Sequence, residues 1–241
     1  MSFAFDKIED FEDFKISWRN NRMKAIIFDM DGLMVDSERL YQQAQEEITG
    51  QFNKTLPEKA RLTMMGRKPL ESMTLLVEAL DIPMDAVKLL EMRNDIMREK
   101  YKNHLVPLPG LTHIIDTFYG KLKLAISTGA QEEFLDIVVD QLGIRNKFAV
   151  LQASDEIEQG KPNPEIYLKT CKKLGLRPGE CVVLEDSLNG VLAGKGAGCY
   201  VIAVPSEYTK GENFSSADFI ADDLLGAARH INNLPKSTAK I

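Results

Sequence analysis

Short runs of apolar residues, separated by amphipathic stretches of helical length, leave few folds open to this chain. Ala25-Ile26-Ile27-Phe28 is the first run, and similar ones recur at residues 122–127, 148–151, 181–184 and 200–204. These runs do not alternate apolar with polar residues, so each reads as a strand buried on both faces. Helical patterns cover residues 132–142, 164–174, 188–197 and 222–233. Strands alternating with helices predict an α/β fold, a Rossmann-like core built on a doubly wound parallel sheet.

One segment breaks the alternation. Residues 37–104 contain no good strand, only helical periodicity at 38–48, 69–80 and 85–101. Pro69 suits the first turn of the second of these. An inserted helical-bundle cap of four or five helices is therefore expected. The core is assigned to residues 24–36 and 105–241, with hinges at 34–37 and 105–110. The run Val106-Pro107-Leu108-Pro109-Gly110 marks the return to the sheet with helix breakers. Residues 1–23 are an appendage in which Phe11, Phe14 and Trp18 lie at helical spacing. An amphipathic helix packed on the core is the expectation there, with a dimer contact as the alternative.

Composition then removes several classes of function. Thirty Lys and Arg against 36 Asp and Glu leave a net charge of −6, which argues against a nucleic-acid polymer as partner. No apolar run approaches the roughly 18 residues needed to cross a bilayer. Residues 1–6 also lack the basic and apolar regions of a secretory signal. Cys171, Cys181 and Cys199 form no C-x-x-C pair, and His104, His113 and His230 lack metal-ligand spacing. The cysteines read as packing residues. A reduced cytoplasmic protein, monomeric or weakly dimeric, is expected.

The chemistry concentrates at strand ends. Asp29 and Asp31 follow the first apolar run directly, with Gly32 next. In open α/β sheets, ligands bind at the carboxyl ends of the strands. Two carboxylates crowded there repel unless a cation or proton lies between them, and Mg²⁺ with oxygen ligands suits the place. Gly32 lets the backbone come close to a bound anion. Taken alone, the same residues equally describe an Asx-type turn with solvated acids.

Ser127 and Thr128 end another run, where a hydroxyl can meet a phosphoryl oxygen or merely cap a turn. Lys161, between Gly160 and Pro162, offers one ammonium that could neutralise a phosphate. Glu185 and Asp186 close a further run, with Ser187 opening a helix. These acids either complete a cation site or complement the helix dipole. The order acid, hydroxyl, lysine, acid pair, each at or just after a strand end, favours one shared site.

Asp29-x-Asp31-Gly32-x-x-x-Asp36-Ser37, the strand into Ser127, Gly160-Lys161-Pro162-x-Pro164 and Glu185-Asp186-Ser187 resemble the four motifs of the haloacid dehalogenase-like hydrolase superfamily. The insertion is similar to the α-helical cap of its beta-phosphoglucomutase-like and sugar-phosphate phosphatase branch. The resemblance implies that Asp29 is the nucleophile forming an aspartyl-phosphate and that Asp31 is the acid and then the base. It further implies that Ser127 and Lys161, with Thr128 beside them, hold the phosphoryl group. Mg²⁺ would be held by Asp29, the backbone carbonyl of Asp31 and Asp186, with Glu185 bound directly or one shell out.

Within that superfamily, Asp31 disfavours a dehalogenase, and the absence of membrane-length runs disfavours an ion pump. The preferred expectation is an Mg²⁺-dependent phosphatase acting on a small phosphorylated metabolite: a sugar, polyol or nucleoside monophosphate. The alternative is a hexose-phosphate mutase of the beta-phosphoglucomutase type. That branch carries a hinge histidine where this chain has Tyr41. It also carries a lysine and an arginine around the cap-loop glycine where this chain has Met65 and Pro69. Tyr41, Arg67 and Lys68 are the candidates for substrate discrimination, or else solvated residues of the cap surface.

Overall fold

The computed structural model describes residues 23–64 and 67–234. The helix expected around Phe11, Phe14 and Trp18, and the cap-loop residues Met65 and Gly66, lie outside them. β1 (Ala25–Phe28) leads into four helices: α1 (Glu38–Gln51), α2 (Glu58–Met64), α3 (Pro69–Leu80) and α4 (Ala86–His104). The chain returns through α5 (Leu111–Phe118) and then alternates β2 (Lys123–Ser127), α6 (Glu132–Gln141), β3 (Val150–Gln152) and α7 (Glu165–Leu174). It closes with β4 (Cys181–Glu185), α8 (Leu188–Ala197), β5 (Tyr200–Ala203), β6 (Phe219–Ile220) and α9 (Leu224–Asn232).

The strands pair in parallel in the order β3-β2-β1-β4-β5-β6. β1 is central and buried throughout, which is why its sequence is apolar without alternation. Ile26 and Phe28 face a layer made by α5, α6 and α9, while Ala25 and Ile27 face α7 and α8. Register decides what the strand ends bring together. Phe28 pairs with Ile126 on one side and Leu184 on the other. The residues that follow, Asp29, Ser127 and Glu185, therefore emerge side by side at the carboxyl edge. The strand order reverses at β1, where a doubly wound sheet opens its ligand crevice.

Capping chemistry accounts for several boundaries. The Asp85 carboxylate accepts from the backbone N–H groups of Val87 and Lys88 at the start of α4, and Pro69 occupies the first turn of α3. β3 begins later than its apolar run. A tight turn at Arg145–Lys147 precedes it, and Phe148 is drawn into an edge-to-face contact with Phe28, centroids 5.8 Å apart. α2, with seven residues, and β6, with two, are too short to leave a periodic signature. Neither they nor α5 appeared among the expected elements.

The segments entering and leaving the insertion pair with each other. The Asp36 N–H donates to the Val106 carbonyl and the Leu108 N–H to the Met34 carbonyl, both at 2.9 Å. Beyond this ribbon the insertion has its own apolar cluster, including Ile48, Met73, Leu76 and Leu89. Leu40 and Ala44 at the near end of α1, with Met97 and Tyr101 at the near end of α4, pack instead into the sheet cluster. The near ends are thus tied to the sheet layer and the far ends are not. Cys171, Cys181 and Cys199 are buried free thiols within the α7–α8 layer. Among the described residues, no helix is long and apolar enough to cross a membrane.

Candidate active site

β1 delivers Asp29 to the crevice, where its N–H donates to the Leu184 carbonyl at 3.0 Å. The residue is 5% exposed. Gly32, three residues later, has a φ of +76° and serves a specific neighbour. A Cβ there would stand 2.2 Å from Asp186 Oδ2. Gly32 therefore admits the Asp186 carboxylate, and no side chain fits in its place.

Lys161 extends into the crevice and is almost completely buried. Its Nζ lies 2.5 Å from Asp29 Oδ1 and 2.5 Å from Glu185 Oε1. Burial alone would lower the affinity of this amine for its proton, but Asp29 and Glu185 outweigh it and hold the group above its ordinary value. Glu185 is fully occupied. Oε1 also accepts from the Tyr167 hydroxyl at 2.5 Å, and Oε2 accepts from the Ser187 N–H at 3.3 Å and the Ser187 hydroxyl at 3.1 Å. Such a network is weak evidence for stability, since apolar replacements of buried ion pairs are often neutral or stabilising by about 1–4 kcal/mol. What it supplies is a fixed ammonium beside Asp29.

Asp186 is the opposite case. It is 2% exposed, and its Oδ2 has no hydrogen-bond partner. Leaving a buried carboxylate oxygen unpaired is costly. Asp29, Glu185 and Asp186 present ligand atoms within 4.8 Å of one another. Burial and then mutual repulsion push the carboxyls of Asp29 and Asp186 well above the usual range, with Lys161 pulling the other way. A divalent cation satisfies both the repulsion and the orphaned oxygen, so these residues fit one. Because the Glu185 oxygens already meet Lys161, Tyr167 and Ser187, Asp29 and Asp186 are the acids that remain available to it.

Asp31 points to the other wall. Its Oδ1 accepts from the Tyr101 hydroxyl at 2.6 Å and its Oδ2 from Thr128 Oγ1 at 3.2 Å. Thr128 in turn accepts from the Ala130 N–H. Ser127 is fully buried beneath, its hydroxyl 3.1 Å from that of Thr170. Neither Ser127, Thr128 nor Gly32 lines the cavity, whereas Asp29, Asp31 and Asp186 do.

Helices of the insertion roof this cavity, whose volume is about 70 Å³. Tyr41 and Arg67 line it as the sequence suggested. Lys68 does not: its ammonium donates to the Ile157 carbonyl on the loop that leads to Lys161. That docking draws it away from the cavity, because α3 meets the loop backbone there. The Gly160 N–H donates to Glu71 at 3.3 Å, and a Cβ on Gly160 would stand 2.8 Å from Lys68 Cγ.

Sequence reasoning missed Arg61, Arg93 and Glu38, which also line the cavity, and Tyr101. Arg93 left a legible trace. It sits in the buried stripe Leu89, Arg93, Met97, Tyr101 on α4, where a charge at an apolar helical position needs a reason. Its guanidinium donates to Asn94 Oδ1 at 2.7 Å and lies over the Tyr41 ring at 5.6 Å. No carboxylate stands within ion-pair distance of it among the described residues. The Glu38 carboxyl is pushed up to about 8 by burial and then by the charge of Asp31.

The chain is 33% identical over 178 residues to a phosphorylated carbohydrates phosphatase of Thermotoga maritima, covering 73% of this chain and 82% of that protein. It is 31% identical over 211 residues to (DL)-glycerol-3-phosphatase 2 of Arabidopsis thaliana, covering 83% and 87%. The crystal structure of CbbY from Rhodobacter sphaeroides in complex with xylulose-(1,5)bisphosphate superposes with a TM-score of 0.76 at 25% identity, covering 84% of this chain and 95% of that one. The sequence profile of the haloacid dehalogenase-like hydrolases matches residues 26–204. With most of its length matched and the four motifs gathered at one crevice, the chain belongs to the haloacid dehalogenase-like hydrolase family.

Proposed function

We propose that this protein is an Mg²⁺-dependent phosphatase that hydrolyses a small phosphomonoester through an aspartyl-phosphate on Asp29. The observation that carries this reading is the surroundings of Asp29: the Lys161 ammonium at 2.5 Å and the unpartnered Asp186 Oδ2 beside it. Asp29, the backbone carbonyl of Asp31 and Asp186 would hold Mg²⁺. When bound, the ion neutralises charge on the transferring phosphoryl oxygens and keeps both acids ionised.

The chain's own residues do the rest. Lys161 fixes one oxygen of Asp29, and the other attacks phosphorus as the bond to the leaving oxygen breaks. Asp31 gives its proton to that leaving oxygen. A water then attacks the aspartyl-phosphate, Asp31 takes the water's proton, and Asp29 departs as a carboxylate. Phosphoryl transfer of this kind needs chiefly positioning and charge neutralisation, which a buried ammonium and a cation site supply.

The relatives' names point to phosphorylated carbohydrates and glycerol phosphate as the substrate class. A cavity of about 70 Å³ is far below the roughly 300–1,000 Å³ of a site holding a whole small molecule. The far ends of the inserted helices must therefore part to admit a sugar phosphate and close again to exclude water. The experiment is phosphate release from a panel of sugar and polyol phosphates, with and without a chelator, for wild type and Asp29→Asn. Turnover retained in that variant, or undiminished by the chelator, sinks the mechanism.

A further inference from the structure

Tyr101 lies near the end of α4, wholly buried. Its ring is held by Phe134, with centroids 5.2 Å apart, and by the edge of Tyr41 at 6.3 Å. A buried phenol normally finds a hydrogen-bond partner. Here the partner is Asp31 Oδ1 at 2.6 Å, on a residue whose backbone belongs to a different layer of the molecule. The Tyr41 hydroxyl stands 3.4 Å from that of Tyr101. Asp31 is the nearer partner by far, and it takes the single proton of Tyr101.

We propose that Tyr101 is a positioning residue for proton transfer, fixing the Asp31 carboxyl so that one oxygen faces the leaving group; this rests on the acid–base role proposed above for Asp31. Asp31 follows the strand on a tight turn, and nothing in that turn fixes rotation of its side chain. Two hydroxyls do so, one on each oxygen. Tyr101 holds Oδ1 at 2.6 Å and Thr128 holds Oδ2 at 3.2 Å.

The tighter contact commits Oδ1, so Oδ2 is the oxygen that releases a proton to the leaving group and later takes one from water. The neutrality of the donor matters. A lysine or arginine in this position would stabilise the ionised carboxylate and oppose its acting as an acid. A phenol orients the carboxyl in either protonation state.

The test compares Tyr101→Phe with wild type on two esters: an alkyl phosphate, whose alkoxide must be protonated as it leaves, and p-nitrophenyl phosphate, whose phenolate leaves without a proton. Loss of aim should lower kcat/KM on the alkyl ester about tenfold or more, a part of the roughly 10²–10⁴ that a general acid contributes. This ratio reports only the steps up to departure of the leaving group, before Asp31 serves as base, and on the aryl ester it should change by less than about threefold. The ratio between substrates is taken on one sample, so a partly unfolded preparation does not distort it.

Equal losses on both esters would show a merely structural tyrosine and overturn the proposal, as would no loss on either. Asp31→Asn is the companion variant. If it discriminates between the esters and Tyr101→Phe does not, only the role of Tyr101 falls. If Asp31→Asn itself fails to discriminate, the acid–base reading of Asp31 falls with it.

Discussion

Gly190 and Glu185 are fitted to each other: a Cβ on Gly190 would stand 1.9 Å from the Glu185 carboxyl carbon. The glycine lies in the first turn of α8, where its N–H donates to Ser187 Oγ, and it leaves room for the carboxylate that grips Lys161. Gly190→Ala should therefore displace Glu185 and release the ammonium from Asp29. Overpacking of this kind costs about 1–3 kcal/mol of stability. Loss of a fixed charge beside the transferring group should lower kcat by at least about 100-fold. Thermal unfolding with steady-state kinetics checks both, and a variant with unchanged kcat rejects the link.

Asp186 Oδ2 supplies a test of the cation that does not depend on turnover. Mg²⁺ at about 100 times its Kd should stabilise the metal-free protein by roughly 2.7 kcal/mol. Asp186→Asn should abolish that gain. It should also raise the stability of the metal-free form, because it removes one charge from a crowded buried cluster. Thermal shift with and without Mg²⁺ measures each. An undiminished Mg²⁺ response in the variant counts against the site.

Glu38 predicts a pH dependence. Its carboxyl is raised from an ordinary 4.5 to about 8. Below 4.5 both folded and unfolded chains carry the proton and folding is unpenalised. As the pH rises toward 8 the unfolded chain ionises while the folded one resists, so stability falls. Glu38→Gln removes that penalty. In metal-free protein it should gain on wild type by about 1–2 kcal/mol between pH 5 and pH 8, well below the nominal 1.36 kcal/mol per unit because Glu38 is partly open to solvent. Denaturant unfolding at the two pH values decides it, and an equal difference at both rejects it.

Arg93 carries the expectation for substrate choice. Its guanidinium faces the cavity from α4 without a carboxylate partner among the described residues, stacked over Tyr41. A charged group meeting the non-reacting end of a sugar phosphate contributes about 1.5–3 kcal/mol. Arg93→Ala should therefore raise KM for sugar phosphates about tenfold or more. The same variant should leave KM for p-nitrophenyl phosphate close to wild type. Equal KM changes on both substrates would remove Arg93 from recognition.

Asp29, Asp31, Lys161, Glu185 and Asp186 were legible in the chain because each follows a buried strand or precedes a helix, and a parallel sheet gathers such ends at one edge. Their distribution of work was not legible. Adjacent acids at positions 185 and 186 look alike in sequence, and only packing separates them. Tyr167 and Ser187, from two further elements, saturate Glu185, while Asp186 keeps an unpaired oxygen. Lys68 and Arg93 show the same limit on the cap side. A lysine in a cap loop reads as a phosphate grip, yet the fold docks it on the Ile157 carbonyl. An arginine within an apolar stripe reads as an exception to helix patterning, yet the fold aims it into the cavity.

Local patterns of hydrophobicity and turn chemistry, read along the chain, therefore determined that this protein has a parallel sheet, an inserted helical segment and a set of acids and a lysine that the sheet edge could gather. Such patterns reflect forces acting within a strand or a helical turn, and they survive without knowledge of the partner element. Which oxygen each hydroxyl meets, which acid stays open to a cation and which basic residue faces the cavity depend on contacts between residues dozens of positions apart. Tyr101 and Asp31, joined at 2.6 Å across 70 positions of sequence, are set by the packing of α4 against the sheet layer, and only the tertiary structure decided that contact.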